Sequence, residues 1–177
     1  MKLTEIQDPK TWDIFYSESK FDRNVYEANL LDLSNVLNKF KVPFYLAFGT
    51  LLGALREHDF IVGDTDVDIM VMEQYKSVLV QALLSEELRT SGLNLLRANE
   101  WLASVGRKHG YIDCYIFRQN DDGISRCWSY WIETERIKNH ETIEFLGKNF
   151  NIPRDPESYL SRVYGNWKVK AGTHASS

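Results

Sequence analysis

Apolar residues recur along the chain at two kinds of spacing, and this pattern predicts the order of helices and strands. Residues 22–39 carry apolar side chains at three- and four-residue steps, which is typical of a helix with one buried face. Residues 44–48 form a short apolar run that favours a buried strand, and residues 67–72 alternate with the apolar bias of a central strand. The same criteria predict further helices at 51–56, 74–88 and 156–164 and further strands at 93–97, 102–105, 111–117, 125–131 and 143–150. This order predicts an α+β fold with a mixed central sheet flanked by helices.

Length and composition predict a single soluble domain. The chain has 177 residues, of which 44% are hydrophobic and 26% are charged, as in ordinary globular proteins. We expect residues 1–170 to form one domain and the small polar residues 171–177 to form a disordered tail. The sequence shows no signal peptide and no apolar run long enough to span a bilayer. These features predict a cytoplasmic location, at most peripheral to the inner face of the membrane.

Charge and aromatic content narrow the classes of ligand. A net charge of −4 argues against a general nucleic-acid binder, which normally has a basic excess. Aromatic residues make up 13% of the chain. The second half of the chain contains four tryptophans: Trp101, Trp128, Trp131 and Trp167. We expect most of them in the core and one or two in the wall of a base or sugar pocket.

A cluster of acids at alternate positions predicts a metal site. Asp66 and Asp68 lie two residues apart on a predicted strand, so their side chains share one face. Such carboxylates bind Mg²⁺ or Mn²⁺, either one ion or two. Asp64 has the same parity but precedes the strand, so it is either a further ligand or a turn residue. The alternative is a charged edge strand or an acidic turn, but Asp68 stands between Val67 and Ile69, and burying carboxylates without a cation is costly.

A Gly-Thr step before the acids predicts a phosphate-binding turn. Gly49 and Thr50 stand where a short helix begins, and free N–H groups at a helix N-terminus bind phosphate. The alternative is a structural helix start in which Thr50 is the cap. Arg56, two turns further on, is either a donor to a phosphate oxygen or a solvated side chain.

A lone acid, Asp113, interrupts an otherwise apolar predicted strand. If this strand pairs with the strand that carries Asp66 and Asp68, then Asp113 completes the metal site or acts as a base for an incoming hydroxyl. The alternative is a salt bridge from Asp113 to Arg107 or Lys108. Those two cations are equally candidates for holding a diphosphate.

Taken in order, these motifs resemble the signature of the LicD/fukutin-like family. The resemblance is carried by residues 49–56, 59–61, 64–69, 112–115 and 152–167. It extends over about residues 22–167, which is nearly the whole chain. One departure stands before the acids, where the family commonly has Pro-Trp and this chain has Val62-Gly63.

The resemblance implies a nucleotidyltransferase-like fold and a set of roles. Gly49 and Thr50 would form the phosphate turn, Asp66 and Asp68 would bind Mg²⁺ or Mn²⁺, and Asp113 would be the third acid. The implied reaction transfers phosphocholine or a polyol phosphate from a CDP-alcohol donor to a glycan or glycolipid acceptor and releases CMP. Two alternatives stay open: a true nucleotidyltransferase that releases pyrophosphate, and a non-catalytic module that binds nucleotide or scaffolds a partner.

Overall fold

A mixed sheet with helices packed against it makes up the part of the chain that the computed structural model describes, residues 6–7 and 20–170. The predicted disordered tail at 171–177 lies outside the described residues. The helices are α1 (Arg23–Lys39), α2 (Phe48–Arg56), α3 (Lys76–Leu83), α4 (Glu86–Thr90), α5 (Thr134–Lys138) and α6 (Pro156–Tyr164), with a 3₁₀ turn at Glu73–Tyr75. The strands are β1 (Ile6–Gln7), β2 (Tyr45–Leu46), β3 (Val67–Met72), β4 (Asn94–Ala98), β5 (Leu102–Arg107), β6 (Gly110–Gln119), β7 (Ile124–Cys127), β8 (Tyr130–Glu133), β9 (Glu141–Phe145) and β10 (Lys148–Ile152).

Helix α1 follows directly from the apolar spacing. The side chain of Asp22 accepts hydrogen bonds from the backbone N–H groups of Asn24 and Val25, which caps the helix start. Its apolar stripe is fully buried and consists of Tyr26, Leu30, Leu33 and Leu37. This stripe packs against β6 and fixes α1 to one face of the sheet. The predicted helix at 22–39 is therefore confirmed.

The order of strands places β3 and β6 side by side in the middle of the main sheet. The order is β1-β4-β5-β6-β3-β2, and β7 pairs with the end of β6 and with β8. Strands β3 and β6 are parallel, while the other pairs are antiparallel. All six residues of β3 are buried, as expected for a strand covered on both faces. The predicted mixed α+β fold is confirmed.

The helix α2 begins earlier than the apolar pattern predicted. Strand β2 has only two residues, and Phe48 already opens the helix with a positive φ of 41°. Ala47 before it is extended. Gly49 and Thr50 therefore lie in the first turn of α2 rather than in a loop before it.

Two predicted strands are hairpins, and one predicted helix is interrupted. The run 125–131 turns at Trp128, and the run 143–150 turns at Leu146; both residues adopt positive φ, which bulky side chains rarely do. The run 74–88 breaks after Leu83, because Ser85 caps a new helix by accepting the Leu88 N–H.

Between residues 20 and 170 no helix is both long and apolar enough to cross a membrane. The predicted cytoplasmic location stays a prediction.

Replacement of Gly53 by alanine is expected to destabilise the fold, although alanine is the better helix former. A Cβ at this position would stand 2.5 Å from the Asp59 carbonyl oxygen and 3.2 Å from the Ile61 nitrogen. Helix propensity favours alanine by up to ~1 kcal/mol, whereas overpacking against backbone costs about 1–3 kcal/mol. Urea unfolding should therefore show a net loss in Gly53→Ala. Gln81→Ala, on the exposed face of α3, is the control and should leave the unfolding midpoint unchanged or slightly raised; an equally stable Gly53→Ala would contradict the close packing.

Candidate active site

Two hydrogen bonds tie the start of α2 to β3. The backbone N–H of Asp68 donates to Oγ1 of Thr50 (2.8 Å), and the backbone N–H of Gly49 donates to Oδ2 of Asp68 (3.2 Å). The Thr50 hydroxyl thus fixes the strand, while the positive end of the helix binds a carboxylate of the same strand. This is the link that holds the predicted turn and the predicted acids together.

Gly49 is at a position where the Asp64 carboxylate stands in the place that a Cβ would take. A Cβ there would overlap Oδ2 of Asp64 and would lie 3.5 Å from Oδ2 of Asp68. Glycine at this position therefore allows the close approach of the Asp64 carboxylate to the backbone, and any larger residue would require that carboxylate to move.

The register between β3 and β6 brings the third acid to the site. Asp68 is the direct neighbour of Asp113 across the parallel pair, and Asp66 stands just before β3. Asp68 is 6% exposed and Asp113 is 4% exposed. The predicted pairing of these strands, which sets Asp113 beside Asp68, is confirmed. We call the four acids Asp64, Asp66, Asp68 and Asp113 the carboxylate cluster.

Asp113 is held by partners that come from the neighbouring strands. The Ser104 hydroxyl, on β5, donates to Oδ1 of Asp113, and Nη2 of Arg97, on β4, donates to Oδ2 at 3.2 Å. Arg97 also donates from Nε to the Ser104 hydroxyl at 2.7 Å. The partner of Asp113 is thus Arg97, which the sequence did not predict, and not Arg107 or Lys108. The available signal was a polar residue in each of two mainly apolar predicted strands, Arg97 and Ser104.

The other cations proposed from the sequence have partners elsewhere. Arg107 pairs with Asp32 of α1 and donates to the Ser91 carbonyl at 3.2 Å. Lys108 is exposed in the β5–β6 turn. Arg56 donates to Glu57 (2.7 Å) and to the Trp167 carbonyl (2.9 Å), so it ties α2 to the segment after α6. The structure does not bring these three side chains into the carboxylate cluster, and their role in binding a diphosphate stays a prediction.

Burial raises the pKa values of all four acids of the carboxylate cluster, and repulsion adds to the rise at Asp66 and Asp68. Burial, followed by the charges of Asp113 and Asp64, raises the pKa of Asp66 to about 7. Burial and then the charges of Asp66, Asp113 and Asp64 raise the pKa of Asp68 well above its usual range. Burial also raises the pKa of Asp64 and of Asp113, although Ser104 and Arg97 oppose the rise at Asp113. The site therefore concentrates negative charge in a poorly solvated place.

The donor chemistry of the carboxylate cluster fits a hard divalent cation. Carboxylate oxygens are the ligands that Mg²⁺ and Mn²⁺ prefer, and buried carboxylates without enough counter-charge favour a cation. Within residues 20–170, one guanidinium, that of Arg97, is hydrogen-bonded to these four acids. No group of three or more Asp, Glu, His or Cys side chains in this part of the chain is already arranged to hold an ion. Binding would therefore require side-chain rotation in the carboxylate cluster.

A cleft of about 280 Å³ opens beside the acids. Its lining joins the start of α2, the loop before β3 and the end of α6: Gly49, Leu52, Ile61, Val62, Gly63, Asp64 and Tyr164. Val62 and Gly63 are the residues at which the sequence departs from the pattern of the family it resembles. The structure thus places that departure in the wall of a cavity next to Asp64.

The profile of one protein family matches residues 41–155 of the chain. Its description is "LicD/FKTN/FKRP, nucleotidyltransferase domain". The match covers α2, β3 and β6, and therefore the whole carboxylate cluster.

A curated relative and two solved structures are similar to this chain. Ribitol-5-phosphate transferase FKTN of Homo sapiens is 25% identical over 184 residues, which cover 89% of this chain and 38% of the relative. The chain thus spans well under half the length of that relative. Lincomycin-bound lincosamide antibiotic adenylyltransferase LnuA has a TM-score of 0.54 at 16% identity, covering 83% of this chain and 90% of LnuA. The solution structure of antibiotic-resistance factor ANT(2'')-Ia has a TM-score of 0.52 at 10% identity, covering 81% and 76%. These two likenesses show a nucleotidyltransferase-like fold.

The metal-free protein is expected to be more stable near pH 5.5 than near pH 8. Because the pKa of Asp66 is raised in the folded state to about 7, the folded protein binds more protons than the unfolded chain between the ordinary carboxyl pKa and this value. Its stability therefore falls as the pH rises through this range. Thermal melts with a chelator present measure the effect.

Asp66→Asn is the matched variant for this experiment. It removes the titrating group, so its melting temperature should depend less on pH than that of the wild type. A wild-type protein that is equally or more stable near pH 8 without metal would contradict the repulsion inferred for the carboxylate cluster.

Proposed function

This chain belongs to the LicD/FKTN/FKRP family of nucleotidyltransferase domains, and we propose that it transfers a phospho-alcohol from a CDP-linked donor to a glycan hydroxyl. The observation that carries the proposal is the parallel register of β3 and β6. It sets the buried acids Asp68 and Asp113 side by side at the N-terminus of α2. A carboxylate cluster next to the N-terminus of a helix is an arrangement that suits a transferase acting on a diphosphate.

In the proposed site, Asp66 and Asp68 hold Mg²⁺ or Mn²⁺, and Asp64 and Asp113 are the further acids. A bound divalent cation would neutralise the diphosphate and stabilise charge at the reacting phosphorus. Gly49 lets the Asp64 carboxylate lie close to the backbone at the start of α2, so that acid stands next to the proposed position of the phosphate. Ser104 and Arg97 keep the Asp113 carboxylate in place.

The proposed step is an in-line displacement at the β-phosphorus. The oxygen of the acceptor hydroxyl forms the new P–O bond, the bond from the β-phosphorus to the CMP oxygen breaks, and CMP leaves. The hydroxyl proton passes to a carboxylate of the carboxylate cluster, as general-base catalysis requires. Positioning and charge neutralisation provide most of the acceleration in phosphoryl transfer.

The cleft beside Asp64 is the proposed place for the hydroxyl-bearing substrate. It combines a carboxylate with the phenol of Tyr164 and with the apolar side chains of Leu52, Ile61 and Val62. Polar groups at defined points in a mostly apolar cavity are typical of small-molecule sites. Because the relative FKTN is named a ribitol-5-phosphate transferase, CDP-ribitol is the first donor to test.

The reaction is tested by product analysis after a binding screen. CDP-ribitol, CDP-glycerol, CDP-choline and nucleoside triphosphates are screened by thermal shift with and without Mg²⁺ or Mn²⁺, since ligands of the native state raise its apparent stability. Donors that bind are then incubated with a glycan panel. CMP and a phosphorylated glycan are the expected products. Pyrophosphate released from a triphosphate would establish a nucleotidyltransferase instead, and no metal-dependent nucleotide binding would favour a non-catalytic module.

Asp68→Asn is expected to lower transfer by at least about a hundredfold, because it removes a proposed metal ligand. An amide oxygen still accepts the Gly49 N–H bond, so the variant should melt at the same temperature as the wild type or higher when metal is absent. Asp122→Asn is the control, since Asp122 is an exposed acid paired with Arg126, and it should keep full activity. Full activity of Asp68→Asn would contradict the metal assignment.

A further inference from the structure

We propose that four aromatic side chains next to the carboxylate cluster form a stacking surface for the base of the nucleotide donor. This surface, the aromatic wall, consists of Phe48, Tyr115, Trp128 and Tyr130. The inference rests on the proposed function for the presence of a nucleotide. It adds the element of the site that recognises the base.

The rings of the aromatic wall pack directly on one another although they come from separate elements. The Phe48 centroid lies 4.8 Å from that of Tyr115 and 4.6 Å from that of Tyr130. Tyr115 contacts Tyr130 edge to face at 6.0 Å and Trp128 at 6.3 Å. These separations are those of aromatic pairs in contact. The rings of α2, β6 and the β7–β8 hairpin therefore form one continuous cluster, in which the buried Phe48 supports the exposed rings of Trp128 and Tyr130.

The aromatic wall is continuous with the carboxylate cluster. Phe48 directly precedes Gly49, whose N–H binds Asp68. Tyr115 stands two residues after Asp113 on β6, so both side chains are on the same face of the sheet. After burial, the charges of Asp68 and Asp113 raise the pKa of the Tyr115 phenol. A nucleotide whose phosphates lie at Asp68 would have its base one ribose away, within reach of this surface.

The backbone holds two of these rings in conformations that bulky residues avoid. Phe48 has a φ of 41° and Trp128 has a φ of 52°, and Trp128 is the first of the two residues that connect β7 and β8. Hairpin turns of this length favour Asn and Gly at such positions. Strained residues cluster at ligand-binding sites, where the surrounding structure holds them in place. Of the seven non-glycine residues with positive φ in the described part of the chain, two belong to the aromatic wall.

The shape of the aromatic wall favours a flat ligand. Trp128 is 49% exposed and Tyr130 is 41% exposed, so ring surface is available to a partner. A cage for a quaternary ammonium group needs rings that stand apart around a central space, whereas these rings touch. The hydroxyl-bearing substrate has polar partners in the cleft beside Asp64, and that cleft shares no residue with the aromatic wall. A nucleobase, which stacks on aromatic side chains, is therefore the occupant that fits.

The test compares CMP with ribose 5-phosphate, which has a sugar and a phosphate but no base. Affinities are measured by calorimetry at fixed Mn²⁺ for the wild type, Trp128→Ala and Tyr130→Ala. Loss of one stacking ring should weaken CMP binding about tenfold and leave ribose 5-phosphate binding unchanged. Trp131→Ala is the matched control: Trp131 follows Tyr130 on β8, so it points to the opposite face, where the Arg162 guanidinium covers its ring at 3.5 Å. It should change neither affinity.

Trp128→Gly is a second variant that removes the ring without a folding defect, since glycine suits the positive φ of this turn. It should melt no lower than the wild type. Unchanged CMP affinity in both Trp128 variants and in Tyr130→Ala would overturn the inference. Equal weakening for ribose 5-phosphate, or wild-type binding of CMP no tighter than of ribose 5-phosphate, would also overturn it. Base-dependent binding without any transfer from a CDP-alcohol would overturn the proposed reaction and leave the aromatic wall supported.

Discussion

Burial of the neighbouring carboxylates of Asp68 and Asp113 is the constraint on which the rest of the site depends. The two acids are buried and adjacent because β3 and β6 pair in a fixed parallel register. Placing like charges side by side away from water is unfavourable, so other parts of the fold must offset the cost. The helix start at Gly49 donates to Asp68, and Arg97 with Ser104 holds Asp113. The remaining excess of negative charge is what makes the site suited to a divalent cation.

The start of α2 connects the carboxylate cluster to the two surfaces proposed to bind substrate, which are the cleft beside Asp64 and the aromatic wall. Gly49 is in contact range of Asp68 and lines the cleft beside Asp64, while Phe48, one residue earlier, begins the aromatic wall. The turn into α2 is thus the point at which phosphate, base and acceptor would meet. In many enzyme folds a rigid sheet holds the catalytic residues, while variable loops at its edge bind the substrate. Related enzymes can then share one reaction and differ in substrate. Val62 and Gly63, in the cleft wall, are positions where such a difference would act.

Local sequence patterns predicted the helices and strands on which the site residues lie. They did not predict the long-range contacts between those residues. Regular apolar spacing located α1, β3 and α6 closely, and the acid within an apolar strand located Asp113. Arg97 was missed because it reaches Asp113 across β5, a contact that no spacing along the chain encodes. The β7–β8 hairpin was missed because its turn residue is Trp128, whose side chain gives no turn signal. Arg107, a candidate partner of Asp113 or of a diphosphate, pairs instead with Asp32 of α1, which is distant in sequence; its role toward a diphosphate stays a prediction.

Proton release on metal binding is the most direct measure of whether the carboxylate cluster is a cation site. Mn²⁺ is titrated into the metal-free protein with CMP present, near pH 7, in two buffers that differ in ionisation enthalpy. Because the pKa of Asp66 is about 7, its carboxyl group is partly protonated under these conditions. Ligands must lose their protons to bind a metal. We predict Mn²⁺ binding with net proton release, absent in Asp68→Asn. Failure to bind Mn²⁺, or binding that releases no protons and survives Asp68→Asn, would contradict the assignment.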